Sequence, residues 1–163
     1  MGSGYIIRCS NCDCDYEKML FAGIGMWFSK TYAEVMEKAR SGQVSKLHTW
    51  FMEHHPDGAI NAEQKIYQCE NCGDLFSDYD LSMYTPRDNS EKKRKKGIWS
   101  VSSPAEEAEY ATPSDLQEYY DLFKPYWHKC PKCKGNASVV NNFANKKCPK
   151  CGRFLTVEFF YWD

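Results

Sequence analysis

The sequence lacks the features that mark membrane and secreted proteins. Its 163 residues contain no run of about 18 apolar residues, so no transmembrane helix is predicted. The first residues show no charged stretch followed by an apolar one, so no secretory signal is predicted. We therefore expect a cytoplasmic protein that has no membrane partner.

Motifs of enzyme active sites are also missing. The chain has no phosphate-binding loop, no Ser/His/Asp order and no paired-carboxylate motif. We therefore expect a protein that is not an enzyme. Three histidines, His48, His54 and His55, keep one alternative open, in which a pocket near the N-terminal helices uses them as acid–base groups.

Cysteine, in contrast, is abundant. Eight of the nine cysteines form four C-x2-C hairpins, and in a reducing cytosol such pairs favour metal binding over disulfides. Tetrahedral Zn²⁺ needs four ligands, so four hairpins provide enough sulfur for two closed structural sites with two zinc ions. The predicted ligands are Cys9, Cys12, Cys69, Cys72, Cys130, Cys133, Cys148 and Cys151.

A short repeat indicates which hairpins share an ion. Lys-Cys-Pro-Lys-Cys occurs at 129–133 and again at 147–151, which is typical of the two arms of one zinc ribbon. We therefore expect the third and fourth hairpins to bind one ion. The first and second hairpins would then bind the other, with the helical segment at about 31–55 inserted between the arms of a split ribbon.

Cys14 is the one cysteine outside these hairpins. It could replace Cys12 as a ligand, act as a thiol or zinc sensor, or simply lie beside the site as a small side chain, and the last interpretation is favoured. His54, His55 and His128 are further substitute ligands. Because the cysteine sets are already complete, we expect these histidines at helix ends or on the surface.

Hydrophobic patterning predicts an α+β fold. Strands are predicted at 5–8, 18–21 and 64–69, a helix from a capping box at Thr31 and Glu34, a second helix through Phe51, and a third after Thr112. The apolar segment 154–162 predicts a strand buried on both faces. The expected domains are a split zinc-ribbon module (1–85), a charged hairpin with a short helix (86–125) and a C-terminal zinc ribbon (126–163), all packed into one compact body.

Charge is strongly segregated although the formal net charge is only −1. Residues 124–157 carry eight basic residues and no acid, which suggests a surface for a nucleic acid or another protein, with the choice undecided. The candidate contact residues are Lys129, Lys132, Lys134, Lys146, Lys147, Lys150 and Arg153. The run Lys92–Lys96 predicts a solvated hairpin tip rather than a docking patch.

Five short motifs carry a resemblance. They are Met1-Gly-Ser-Gly-Tyr5, Gly23-x-Gly25-Met26, His55-Pro-Asp-Gly58, Asp80-Leu-Ser-Met-Tyr84 and His128-Lys-Cys-Pro-Lys-Cys133. With them the chain resembles a group of uncharacterised bacterial zinc-ribbon proteins, which implies zinc binding and no particular activity. One departure is Asp13, which stands where a glycine commonly follows the second ribbon cysteine.

Overall fold

The computed structural model describes residues 2–10, 13–87, 95–98 and 107–162, which form an α+β fold as predicted. The elements in chain order are β1 (Gly2–Cys9), β2 (Glu17–Gly23), α1 (Phe28–Arg40), α2 (Lys46–His54), β3 (Ala59–Ile60), β4 (Gln64–Cys69), β5 (Leu75–Tyr79), β6 (Met83–Pro86), β7 (Lys95–Ile98), β8 (Glu107–Tyr110), α3 (Pro113–Tyr119), β9 (Tyr120–Lys124), β10 (Ala137–Val139) and β11 (Leu155–Trp162).

The chain divides into two compact units that interleave in sequence. The cysteine unit comprises Met1–Met26, Gln64–Tyr79 and Trp127–Asp163, and the helical unit comprises Trp27–Glu63 and Asp80–Tyr126. This division differs from the expected consecutive modules 1–85, 86–125 and 126–163. The reason is strand pairing, since β4 joins both β2 from the N-terminal end and β10 from the C-terminal end.

The cysteine unit is built on one antiparallel sheet. Its strand order is β10-β4-β2-β1-β11, and β5 also pairs with β4. Side chains alternate across the sheet, so Ile7 and Leu20 fall on one face, where they form a buried core with Ile66 and Leu75. Ile7 and Ile66 of this core lie on β1 and β4, the strands that end at Cys9 and Cys69.

The prediction for the last strand is wrong in one respect. β11 exists as expected, but it lies at the end of the sheet order instead of inside the sheet. Val157, Phe159 and Tyr161 are 36%, 50% and 70% exposed. The absence of period-2 alternation in this segment therefore reflects exposed aromatic residues on a sheet edge, not burial on both faces.

The helical unit contains the three helices and two small sheets, ordered β3-β6-β9 and β7-β8. Helix α1 begins at Phe28, before the predicted capping box at Thr31, because Phe28 and Tyr32 extend its buried face by one turn. Helix α2 is capped by Ser45, whose hydroxyl accepts the His48 N–H. Helix α3 begins after Thr112 as predicted, and no helix in the described residues is long and apolar enough to span a bilayer.

Candidate metal centres

Eight cysteine thiols lie in two groups of four, and none of them forms a disulfide. In each group all four Sγ atoms lie within 4.8 Å of one another. The outer group contains Cys9, Cys14, Cys148 and Cys151, and the inner group contains Cys69, Cys72, Cys130 and Cys133. The names follow the order along the chain, in which the second and third hairpins lie between the first and the fourth.

The distances between sulfur atoms match a shared ion. In the outer group Cys9 Sγ lies 3.3 Å from Cys151 Sγ, and in the inner group Cys72 Sγ lies 3.7 Å from Cys130 Sγ. A tetrahedral ion with metal–sulfur bonds of about 2.3 Å sets its ligands about 3.8 Å apart, whereas disulfide sulfurs are about 2.05 Å apart. Each group can therefore hold one metal ion.

The hairpins pair differently from the expectation. The third hairpin meets the second and not the fourth, so the predicted set of Cys130, Cys133, Cys148 and Cys151 is wrong, as is the predicted set of Cys9, Cys12, Cys69 and Cys72. The cause lies in the sheet. Pairing of β4 with β10 aligns Cys69 with Ala137, and pairing of β1 with β11 aligns Cys9 with Leu155.

The backbone hydrogen bond that closes each hairpin explains why Cys14 belongs to the outer group. In the other three hairpins the N–H of the first cysteine donates to the carbonyl two residues after the second cysteine, at 2.7–2.9 Å. The Cys9 N–H donates to the Tyr16 carbonyl at 3.0 Å, and Tyr16 follows Cys14 by two residues. Cys14 thus occupies the second-ligand position of a widened C-x4-C hairpin, which corrects its favoured interpretation as a bystander. Cys12 lies outside the described residues.

Three of these hairpins end in the left-handed backbone conformation. Gly73, Lys134 and Gly152 follow the second cysteine with φ of 71°, 62° and 75°, and each donates its N–H to the carbonyl of the first cysteine. Glycine adopts this conformation without strain, while a lysine there costs about 1 kcal/mol. The closed turns aim both sulfurs of a hairpin to one side.

Backbone hydrogen bonds lower the pKa of one cysteine in each group. The backbone N–H of Gly135 is the main cause that lowers the pKa of Cys133 to about 6. Burial opposes ionisation of Cys148, but N–H groups of Lys150 and Cys151 still bring its pKa down to about 7. Metals bind the thiolate form, so these contacts prepare Cys133 and Cys148 for a cation.

Gly135 packs directly against the inner group. A Cβ at this position would stand 2.8 Å from Asn71 Cβ and 3.3 Å from the Sγ atoms of Cys133 and Cys69. Real side chains do not fit at such distances without displacing their neighbours. The glycine therefore allows the third hairpin to approach the second, a role that the sequence did not reveal.

A buried polar contact links the two groups. The Tyr16 hydroxyl donates to Asp74 Oδ1 at 3.1 Å, and Lys18 Nζ lies 3.2 Å from Asp74 Oδ2. Burial raises the pKa of Tyr16, so the hydroxyl remains a donor at neutral pH. The sequence patterns did not single out these residues, although Tyr16 follows Cys14 by two positions and Asp74 follows Cys72 by two positions, a shared placement that could have pointed to both.

All four histidines are among the described residues, and none of them belongs to either cysteine group. His128 is buried, not on the surface, and its Nδ1 lies 3.3 Å from Asp78 Oδ2. His48 is also buried, with Nδ1 2.8 Å from Ser45 Oγ and Nε2 2.8 Å from the Leu81 carbonyl. His54 lies at the end of α2 and stacks on Trp50, in agreement with the expectation of a helix-end histidine.

The basic residues predicted for a partner surface lie around both groups, and six of the seven are exposed. Lys150 pairs with Asp15 beside the outer group, while Lys129 donates to Asn136 beside the inner group. Lys146 is half-buried and donates to Gln68 Oε1 at 2.7 Å. The exposed residues are Lys129, Lys132, Lys134, Lys147, Lys150 and Arg153. Residues 92–94 of the basic run lie outside the described residues.

Comparison with known proteins adds no assignment. No protein-family model, curated protein or solved structure matches this chain. The resemblance to bacterial zinc-ribbon proteins therefore rests on the sequence motifs, and the two groups of four cysteines are what the structure supplies.

Proposed function

We propose that the protein binds two zinc ions and that both ions are structural. The observation that carries this proposal is the presence of two complete groups of four thiols, each with sulfur spacing suited to one tetrahedral ion. Four sulfur ligands are typical of structural zinc, whereas catalytic zinc keeps a position open for water. When bound, each ion would supply the cross-link that holds two distant hairpins together.

The energetics of the cysteine unit support a structural role for zinc. In the described residues its sheet packs a core of four buried side chains, with five partly buried hydrophobic residues against it, and backbone hydrogen bonds close the hairpins. A zinc site with four cysteine ligands contributes roughly 10–16 kcal/mol of apparent folding free energy in small peptides at neutral pH. That amount is comparable to the net stability of a whole domain.

Native mass spectrometry of protein purified without chelator tests this proposal. Two zinc ions per chain are expected, and removal by chelator should abolish the near-UV circular dichroism of the cysteine unit. Zinc restored after chelation should recover both signals. Protein that carries no metal, or that keeps its folded signal after complete metal removal, would contradict the structural role.

We also propose that the zinc-stabilised unit is a non-enzymatic binding module for a protein or a nucleic acid. The exposed basic residues, together with exposed Trp127 and Phe154, favour an anionic partner that also stacks on aromatic rings. The alternative enzyme with an acid–base histidine gains no support at His48, because both of its ring nitrogens are already bonded inside the fold.

Fluorescence anisotropy with labelled single-stranded RNA tests the anionic partner. Binding should weaken as salt rises, since each phosphate contact releases counterions. The triple variant Lys132→Ala, Lys147→Ala and Arg153→Ala should flatten this salt dependence. The matched control exchanges the exposed Lys30, Lys38 and Lys46 of the helical unit for alanine and should leave binding unchanged. If RNA does not bind, a protein partner becomes the preferred version of the proposal.

A further inference from the structure

The strand β11 has an edge to which no described strand is bonded. It ends the sheet order and pairs with β1 alone. Only its beginning is covered on the other side, where the Leu155 N–H donates to the Lys146 carbonyl at 2.9 Å. Within the described part of the chain, the edge from Val157 onward has no backbone partner.

Two hydrogen bonds establish which backbone groups face this open edge. Cys9 lies opposite Leu155, yet the Cys9 N–H points to Tyr16 and the Leu155 N–H points to Lys146, so both turn away from each other. Antiparallel strands alternate between facing pairs and outward pairs. Leu155 is an outward residue, and every second residue along β11 repeats its orientation. The N–H and C=O groups of Val157, Phe159 and Tyr161 therefore point outward.

The devices that normally protect a sheet edge are missing from this strand. β11 contains no proline, and its register with β1 runs unbroken from Cys9 opposite Leu155 to Gly2 opposite Trp162. Its only charged residue, Glu158, is paired with Arg8 Nη1 at 2.7 Å on β1. Soluble proteins usually place lysine, proline, a bulge or a short strand at such an edge, because an unprotected edge recruits another strand.

We propose that the strand recruited is β11 of a second copy of this chain, antiparallel and related by a two-fold axis at Phe159. Outward-facing residues must meet outward-facing residues, and a two-fold axis at any residue from Val157 to Tyr161 satisfies this condition. The register centred on Phe159 uses the most of the edge and forms about six backbone hydrogen bonds. It extends the sheet of the cysteine unit across both copies.

The side chains favour this occupant because the edge is complementary to itself. In this register Phe159 lies opposite its own copy, and Val157 lies opposite Tyr161. Aromatic–aromatic and aromatic–β-branched pairs are the ones that stabilise neighbouring strands. Glu158 faces Phe160 of the copy, so like charges are not opposed. Phe159 already packs against Tyr5 and Tyr161, with ring centroids 5.5 and 4.8 Å apart, and the copy would continue this aromatic strip.

Residue-resolved amide exchange by NMR, with sedimentation on the same samples, tests the pairing in the metal-loaded, unmodified chain. The mass should rise from monomer to dimer with concentration. Protection of the Val157, Phe159 and Tyr161 amides should rise with it, while Thr156 and Glu158 amides, bonded to β1, should be protected throughout. A chain that stays monomeric, or outward amides whose protection does not depend on concentration, would overturn the proposal. The second result would mean that another segment of the same chain covers the edge.

A charge exchange at the two-fold axis provides the specific test. Phe159→Lys should weaken dimerisation at least about tenfold, because like charges would lie directly opposite each other. A mixture of F159K with F159E should restore the dimer. The control Met19→Lys changes a 59% exposed residue on β2 and should leave dimerisation intact. A dimer that persists in F159K would overturn the proposal.

Metal content measured on the same variants separates this inference from the proposed function. Two metal ions per chain in a monomeric F159K variant would support both. If the unmodified chain forms the dimer but carries no metal, the zinc proposal is contradicted and the strand pairing is still supported.

Discussion

The Tyr16 hydroxyl donates a hydrogen bond to Asp74 Oδ1 at 3.1 Å. Through their backbone carbonyls, the same two residues close the first and second hairpins, because Tyr16 accepts from Cys9 and Asp74 accepts from Cys69. The residue that completes one outer hairpin is therefore bonded to the residue that completes one inner hairpin. This contact couples the two cysteine groups mechanically.

The substitution Tyr16→Phe should weaken that coupling without altering any cysteine. It leaves the buried Asp74 carboxylate with one partner fewer, so the free energy of unfolding should fall by about 1–2 kcal/mol. Urea denaturation of metal-loaded protein measures this change. Tyr161→Phe, which removes an exposed hydroxyl, is the control and should have no measurable effect in dilute protein. Equal stability of the two variants would show that the Tyr16 contact contributes nothing.

Much of the fold could be predicted from local pattern. The strands before the first and second hairpins follow from short apolar runs that lead into Cys9 and Cys69, and the helix after Thr112 follows from a cap with proline behind it. These signals depend on neighbouring residues. The burial of β11 could not be predicted in the same way, because exposure of Phe159 and Tyr161 depends on which strands lie beside them.

Which hairpins share a metal group could also not be predicted from the sequence. The repeated Lys-Cys-Pro-Lys-Cys describes how each hairpin closes, but it does not encode which hairpin it meets. Loop-closure entropy grows slowly with length, so bringing Cys133 to Cys69 instead of to nearby Cys148 costs only about 1 kcal/mol more. Strand pairing of β4 with β10 outweighs that difference.

Serine substitutions at Cys14 and Cys12 should have different effects. Cys14 Sγ lies 3.5 Å from Cys148 Sγ, and the closure by Tyr16 matches a hairpin whose second ligand is Cys14. Cys14→Ser should therefore reduce the metal content from two ions to one, while Cys12→Ser should retain two. Native mass spectrometry measures both. The reverse result would assign the ligand to Cys12.

Alanine at Gly135 should weaken the inner group selectively. The added Cβ would crowd Asn71 and two sulfur atoms, and overpacking of this kind costs about 1–3 kcal/mol. In a chelator competition, one of the two ions should then leave at a chelator concentration at least about tenfold lower. Gly42→Ala, at a positive φ of 78° in the helical unit, is the matched control. If both variants release metal alike, the crowding at Gly135 has no effect on the site.

His48 gives the helical unit a pH dependence with a definite sign. Burial lowers the pKa of His48 from its ordinary value of 6.5, so the folded state keeps the imidazole neutral where the unfolded state takes up a proton. Stability should therefore be full above pH 6.5 and decline as the pH falls through and below it. An NMR titration of the imidazole protons checks the cause directly. A His48 pKa above 6.5 would contradict this assignment.

The nested pairing of hairpins is the central claim, and metal counting in two double variants tests it most directly. Cys72→Ser with Cys133→Ser removes two ligands of the inner group and should leave one ion per chain at the outer group. Cys133→Ser with Cys151→Ser damages both groups and should leave none. If the first hairpin instead paired with the second and the third with the fourth, the first double variant would carry no ion and the second would carry one. Native mass spectrometry that found no ion in the first variant and one ion in the second would contradict the nested arrangement.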